Sequence, residues 1–109
     1  MVPLRGVFEE FGAEIYWYDE TQSIEIRLND TVIIMKVNYK YAMVNDNVLI
    51  LDVAPEIVQG RTYIPLRFVG ESIGASVEWN SSFMYARIIY NNIEIIVKEK
   101  SKNIQIDYK

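Results

Sequence analysis

Residues 64–98 read IPLRFVGESIGASVEWNSSFMYARIIYNNIEIIVK, and residues 2–36 read VPLRGVFEEFGAEIYWYDETQSIEIRLNDTVIIMK. Aligned without gaps, the two stretches are identical at 13 of 35 positions. Chance agreement between unrelated segments of ordinary composition is about one position in fifteen to twenty. Similarity at a fixed spacing indicates two copies of one supersecondary unit, so we expect internal repeats at 2–36 and 64–98.

Each copy begins with the pattern of a short amphipathic helix. Pro3 and Pro65 suit the first helical position, where a missing N–H costs no hydrogen bond. Gly12 and Gly74 suit left-handed C-caps, so both helices are predicted to end there. Between proline and glycine, apolar residues recur on one helical face, at Leu4, Val7 and Phe11 and at Leu66, Val69 and Ile73.

Alternation of apolar and polar residues follows each helix and predicts three antiparallel strands. In the first copy Ile15 and Trp17 share one parity, while Tyr16 and Tyr18 share the other. The predicted fold class is therefore α+β, with two pseudo-repeats of a short helix plus an antiparallel β-meander.

The segment between the copies and the C-terminal tail complete this scheme. Residues 39–51 are predicted to form a hairpin, and residues 1–109 a single domain. The tail residues 104–106 lie 62 residues after 42–44, so we expect them to begin the same hairpin and stop short. The resulting unpaired edge at 104–108 favours a homodimer, by strand addition or by a domain swap.

Composition removes most classes of catalytic and metal site. The chain has neither cysteine nor histidine, so it lacks thiol nucleophiles, the usual general base and the commonest metal ligand. A net charge of −4 argues against a nucleic-acid partner, and the aliphatic runs are too short for membrane insertion. We expect no signal peptide, no cofactor, no metal, and no catalytic or cofactor-binding residues.

A family resemblance is carried by Gly60–Val69, followed by Glu71, Gly74-Ala75 and Trp79. This string resembles the signature of the copper amine oxidase N-terminal-like domain, also called the stalk domain, and the likeness covers nearly the whole chain. Its signature positions, which we interpret as structural, are Pro3, Arg5, Glu9, Gly12, Trp17, Arg61, Pro65, Arg67, Glu71, Gly74 and Trp79.

The resemblance implies a fold and a setting rather than a reaction. It implies a sheet curled around the helices and a stalk or spacer module without catalysis. Similar domains recur in surface and secreted proteins of Gram-positive bacteria, which implies an extracellular or cell-surface location. The sequence departs from the family pattern at residues 38–40 and 45–47, where a slightly altered hairpin is expected.

Oxidase activity itself is not expected in this chain. Asn38-Tyr39 superficially matches the context of the cofactor-forming tyrosine of copper amine oxidases, but Lys40 breaks the match. Formation of that cofactor also needs a copper ion held by imidazole nitrogens, and the chain has no histidine.

Two arginine–glutamate pairs recur at helical spacing, Arg5/Glu9 and Arg67/Glu71. They could bind an anionic or sugar ligand, form ion pairs on a helix face, or let each arginine cap carbonyl groups of the sheet. We favour a structural role, because a small domain rarely needs two copies of one ligand site.

The tryptophans and carboxylates also have ordinary interpretations. Trp17 and Trp79 share the inward parity of their strands, so we assign both to the core. The carboxylates are expected to be solvated, and no glycosidase pair is predicted. Those of the first copy are Glu9, Glu10, Glu14, Asp19, Glu20 and Glu25.

The outward tyrosines are the main candidates for recognition. Tyr16, Tyr18, Tyr39 and Tyr41 could form an exposed aromatic surface for a ligand or partner. The partner would be a protein or a cell-wall component. Two hypotheses follow: a non-catalytic spacer or interaction module, and a module that binds wall polysaccharide through these tyrosines.

Apolar residues also have outward parity, namely Ile34, Ile89 and Ile96. A sheet face that carries them is expected to be covered by the rest of the domain, by a partner subunit or by a neighbouring module.

Overall fold

A computed structural model describes residues 8–58, 60–98 and 105–108. Antiparallel sheets make up most of it, together with one short helix, which is consistent with an α+β class. The largest sheet has five strands in sequence order: β1 (Glu14–Tyr18), β2 (Ser23–Leu28), β3 (Thr31–Lys36), β4 (Tyr41–Val44) and β5 (Asn47–Ile50).

Two smaller sheets and the helix follow along the chain. The strands β6 (Glu56–Val58) and β7 (Arg61–Pro65) form a hairpin, and α1 (Leu66–Ser72) leads from β7 into the next sheet. That sheet is a meander of β8 (Ser76–Asn80), β9 (Tyr85–Tyr90) and β10 (Ile93–Lys98). Each of these three strands starts 62 residues after β1, β2 and β3 respectively, and has the same length.

The end of α1 shows why glycine is needed there. Gly74 has a φ of +92°, and its N–H donates to the carbonyl oxygen of Glu71 at 3.1 Å. The N–H of Ala75 donates to the carbonyl oxygen of Gly70 at 2.9 Å. These bonds satisfy carbonyls that the helix leaves without partners. The same pair of bonds closes residues 8–13, where Gly12 has a φ of +95°.

The start of α1 differs by one residue from the prediction. Pro65 is the N-cap, with φ −72° and ψ 112°, and the helix begins at Leu66. The extended ψ follows from β-pairing, because Pro65 is the last residue of β7 and lies opposite Gln105. Pro65 therefore does not occupy the first helical position, and Pro3 lies outside the described residues.

The tail strand also pairs differently from the prediction. The strand β11 (Gln105–Tyr108) is antiparallel to β7 and lies on the side of β7 opposite β6. Residues 105–108 thus complete the third sheet and do not begin a hairpin equivalent to β4 and β5. The edge that was expected to be free for a homodimer is paired along one side within the chain.

The core lies between the inward faces of the sheets and α1. Its members share the inward parity of their strands or the apolar stripe of the helix, so alternation alone selects them. The largest fully buried side chains are Phe8, Ile24, Ile26, Ile33, Met35, Ile64, Leu66, Val69 and Ile88.

The helix packs closely on β8 at Gly70. A Cβ atom placed on this buried glycine would lie 2.7 Å from Cγ2 of Val77, well inside van der Waals contact. The absence of a side chain is thus what allows α1 to approach the strand. The residue 62 positions earlier is Phe8, which is fully buried, so the two halves fill this position differently.

The substitution Gly70→Ala is expected to lower the free energy of unfolding by about 1 kcal/mol. Overpacking costs about 1–3 kcal/mol, and the better helix propensity of alanine returns only about 1 kcal/mol. In a Val77→Ala background the same substitution is expected to be neutral or stabilising, because the clashing methyl group is gone. Chemical denaturation of the four proteins of this cycle measures both effects. Stabilisation of the wild-type background by Gly70→Ala would contradict the close packing.

Candidate interaction surface

The outward side chains of β1 to β5 form one continuous surface, which we call the outer face. Strand register places Tyr16 opposite Glu25, Glu25 opposite Ile34, Ile34 opposite Met43 and Met43 opposite Val48. Side chains on one face of neighbouring strands lie about 5 Å apart, so this row forms a single stripe across the sheet. The outer face comprises Tyr16, Tyr18, Glu25, Arg27, Ile34, Lys36, Tyr41, Met43, Val48 and Ile50.

A buried carboxylate lies within this face. Glu25 is only 8% exposed, although its parity is outward. The hydroxyl of Tyr18 donates a hydrogen bond to Oε1 of Glu25 at 3.0 Å, and Nε of Arg27 pairs with Oε2. The guanidinium of Arg27 also lies over the ring of Tyr16, 5.8 Å from its centroid. Glu25 therefore joins the aromatic and cationic groups around it.

This burial corrects the prediction that the carboxylates of the first copy are solvated. Parity alone put Glu25 outside the core, and it does not show that long neighbours fold over a short carboxylate. A Glu-x-Arg pair on one face of β2 beside two outward tyrosines is the sequence signal that could have indicated such a network.

The network shifts two pKa values. The hydrogen bond from Tyr18 to Glu25 raises the pKa of the tyrosine above its usual 10, with smaller contributions from burial and from the charge of Glu25. Loss of the phenolic proton would break this bond and place two negative charges side by side. The hydrogen bond to Glu25 also raises the pKa of Arg27, which keeps the guanidinium charged.

The four predicted tyrosines are all exposed but do not form one cluster. Tyr16 and Tyr18 are on β1, and Tyr41 lies three strands away on β4. Three strand spacings correspond to about 14 Å. Tyr39 lies in the turn between β3 and β4, where the ammonium of Lys36 is 4.7 Å from its ring centroid. The structure therefore places two tyrosines at one edge of the sheet and two nearer the opposite edge.

The apolar residues with outward parity differ in exposure. In the single chain, Ile34 and Ile96 are exposed on their respective sheets, and Ile89 is half-buried.

The signature arginine of α1 makes both structural contacts considered from the sequence. Nη1 of Arg67 lies 3.1 Å from Oε2 of Glu71 and donates to the carbonyl oxygen of Val77 at 3.1 Å. It therefore links the helix surface to β8. In the first copy Glu9 is exposed, and Arg5 lies outside the described residues. The backbone of Arg61 pairs with Val58 in the third sheet.

The signature tryptophans lie at the margin of the core. Trp17 and Trp79 are half-buried and pack against the buried cluster, so neither is fully enclosed. The indole N–H of Trp17 donates to Oδ1 of Asp19. A polar ring edge at the surface and an apolar ring face on the core are typical of tryptophan, and explain the partial burial.

Among residues 8–58, 60–98 and 105–108, no group of three or more His, Cys, Asp or Glu side chains could hold a metal ion. In the same part of the chain, the helices are too short and too polar to span a bilayer.

Titration of Tyr18 tests the network on the outer face. Because its folded-state pKa is raised, Tyr18 stabilises the fold at pH values below about 10, and this contribution is lost as the pH rises through the folded pKa. We expect the unfolding free energy to fall more steeply above pH 10 in the wild type than in Tyr18→Phe. The near-ultraviolet absorbance difference between these proteins reports the titration of Tyr18. In Glu25→Gln this titration is expected to move toward lower pH, and an unchanged midpoint would contradict the hydrogen bond as its cause.

Comparison with known proteins gives two matches. The family model described as the copper amine oxidase N-terminal domain matches residues 1–89. A Brevibacillus choshinensis protein named as a protease inhibitor is 32% identical over 80 residues. That similarity covers 71% of this chain but only 24% of the relative, so the chain corresponds to about a quarter of that protein. Since the family model spans most of the chain, the protein belongs to the copper amine oxidase N-terminal domain family.

Proposed function

We propose that the chain is a non-catalytic structural and interaction module, a stalk or spacer, of a bacterial cell-surface or secreted protein. The observation that carries the proposal is the use of the signature side chains within the fold. Arg67 contacts Glu71 and the backbone of Val77, and the two signature tryptophans pack on the core. These side chains therefore stabilise the module, and the surface available to partners consists of other residues.

A duplicated unit, with the sheet curled around its helices, is part of this proposal. The equal strand lengths at a spacing of 62 residues support it. Left-handed backbone at equivalent positions supports it further, with φ +54° at Gln22 and +56° at Met84. Neither residue type favours positive φ, so the geometry of the unit imposes it. Duplication of a stable unit is a simple way to build a stiff spacer.

An activity screen tests the absence of catalysis. The purified chain is expected to turn over no amine, glycoside or peptide substrate, with or without added copper, because it has neither imidazole nor thiol groups. Turnover that follows the protein through purification and is lost on substitution of an outer-face residue would overturn the proposal.

Binding of cell-wall polysaccharide is a second candidate function. The observation that favours it is the exposure of Tyr16, Tyr18 and Tyr41 on one sheet face, where flat rings could stack on sugars. The spacing of the two edges corresponds to about three sugar units if the glycan crosses the strands, taking roughly 14 Å between them.

Isothermal titration against soluble peptidoglycan fragments separates the two functions. If the second holds, we expect binding that Tyr16→Ala and Tyr18→Ala each weaken about fivefold or more, since aromatic contacts contribute about 1 kcal/mol or more. Phe83→Ala is the matched control, because Phe83 is an exposed aromatic residue in the turn between β8 and β9. Binding that all three variants weaken equally, or no heat at all, would exclude the tyrosine site and leave the spacer.

The relative named as a protease inhibitor makes proteases one class of partner to screen. If that activity resides in the shared quarter of the relative, this chain is expected to slow peptide hydrolysis at stoichiometric concentration. An unchanged rate with a panel of serine, cysteine and metalloproteases would assign the activity to other parts of the relative.

A further inference from the structure

The strand β5 ends the five-stranded sheet with a bare apolar edge. All four of its residues are exposed, Val48 to 63% and Ile50 to 76%, and none is charged or proline. Natural edge strands usually carry charges, prolines or bulges that prevent pairing with another chain. We propose that β5 is a strand-addition site for an extended partner segment that is apolar in its middle and cationic at both ends. This inference rests on the proposed role as an interaction module and specifies its partner.

Hydrogen-bond phase determines which backbone groups of β5 are available. The N–H of Leu51 donates to the carbonyl oxygen of Lys40 at 2.8 Å, which continues the pairing between β5 and β4. Residues of an antiparallel edge strand alternate between bonding the neighbour and pointing away from it. Asn47 and Leu49 therefore bond β4, and the N–H and C=O groups of Val48 and Ile50 point off the sheet.

The same two residues carry the apolar surface for the added strand. Val48 lies opposite Met43 and Ile50 opposite Tyr41, so both side chains continue the outer face. The side chain of Leu49 is exposed on the other face of the strand. A segment with β-branched residues on both faces would bury apolar area against all three side chains.

Charge defines the ends of the partner segment. Asp46 precedes β5 and Asp52 follows it, and both are exposed. Six residues of extended chain correspond to about 20 Å, which is the length of a strand that spans the edge. Lys40 lies on the β4 side, one strand in from the edge. Lysine or arginine near both ends of an added strand would thus meet a carboxylate at each end.

The same charges oppose pairing with a second copy of this chain. In a two-fold antiparallel pair, outer-face residues must oppose outer-face residues. The register that matches Val48 with Ile50 of the second copy is centred on Leu49. It also places Asp46 opposite Asp52 of the second copy at both ends, and like charges directly opposite are destabilising. A cationic partner is therefore favoured over self-association.

Nuclear magnetic resonance titration of the isotope-labelled full chain tests this site. The probe is the peptide acetyl-Lys-Thr-Val-Thr-Val-Thr-Lys-amide. We expect the amides of Val48 and Ile50 to shift and to gain protection from hydrogen exchange. The amides of Asn47 and Leu49, which already bond β4, are expected to change less. A peptide with glutamate in place of both lysines is expected to bind about fivefold or more weakly at low salt, from two exposed charge pairs.

Variants separate backbone pairing from charge. Val48→Pro removes an outward donor at an edge position that tolerates proline, and is expected to abolish binding while the circular dichroism spectrum is retained. The double variant Asp46→Asn/Asp52→Asn is expected to bind the lysine and glutamate peptides equally. It keeps the proposal testable if Val48→Pro does not fold. Tyr18→Ala is the matched control and is expected to bind like the wild type, because Tyr18 lies on the opposite edge strand.

Three results would overturn the edge site. They are no shift at Val48 and Ile50, equal binding of both peptides by the wild type, and a concentration-dependent dimer in light scattering that uses the same two amides. Each would leave the spacer role intact, because that role needs no added strand. Catalytic turnover would overturn the spacer role without affecting the edge, so the two failures are distinguishable.

Discussion

The register of β2 determines which side chains form the core and which form the surface of the larger sheet. Ile24 and Ile26 are completely buried, and Glu25 between them belongs to the outer face. A shift of one residue would exchange the faces, exposing the isoleucines and directing Glu25 and Arg27 inward. Since β2 pairs with both β1 and β3, its register also fixes the inward positions of those strands.

Magnitudes indicate which contacts maintain this register. A fully buried isoleucine contributes about 1.5–3 kcal/mol. An exposed helix pair such as Arg67–Glu71 contributes about 0.3–0.5 kcal/mol. The alternating apolar residues therefore dominate stability, and the ion pairs mainly orient side chains. The Tyr18–Glu25–Arg27 network has a further effect, because the hydrogen bonds to Glu25 offset the cost of burying its carboxylate.

Sequence alone predicts the parts of this fold that depend on local patterns. Alternation locates β1 and β8 and the parity of Tyr16 and Trp17, and glycine locates the helix end at Gly74. Pairing of β11 with β7 is not predicted, because it joins residues about 40 positions apart and neither segment encodes its partner. The burial of Glu25 is missed for a related reason, since it depends on side chains from neighbouring positions folding over it.

The partial burial of the tryptophans and the exposure of β5 have the same origin. Parity shows the direction of a side chain from its strand but not how far the opposing layer extends. Trp17 points inward and still reaches the margin of the core. Leu49 also points inward and is exposed, because no described element covers that end of the sheet. The extent of a layer is a property of the whole fold, and single-strand patterns do not contain it.

The two halves share a framework but present different surfaces. Tyr16 and Tyr18 correspond in position to Glu78 and Asn80. In the second sheet Arg87 pairs with both Glu78 and Glu94, so charged groups there satisfy one another across three strands. The first sheet is instead extended by two further strands and ends at an apolar edge. Because the shared residues stabilise both halves alike, binding specificity is expected to reside where the halves differ, on the outer face and the open edge of the first sheet.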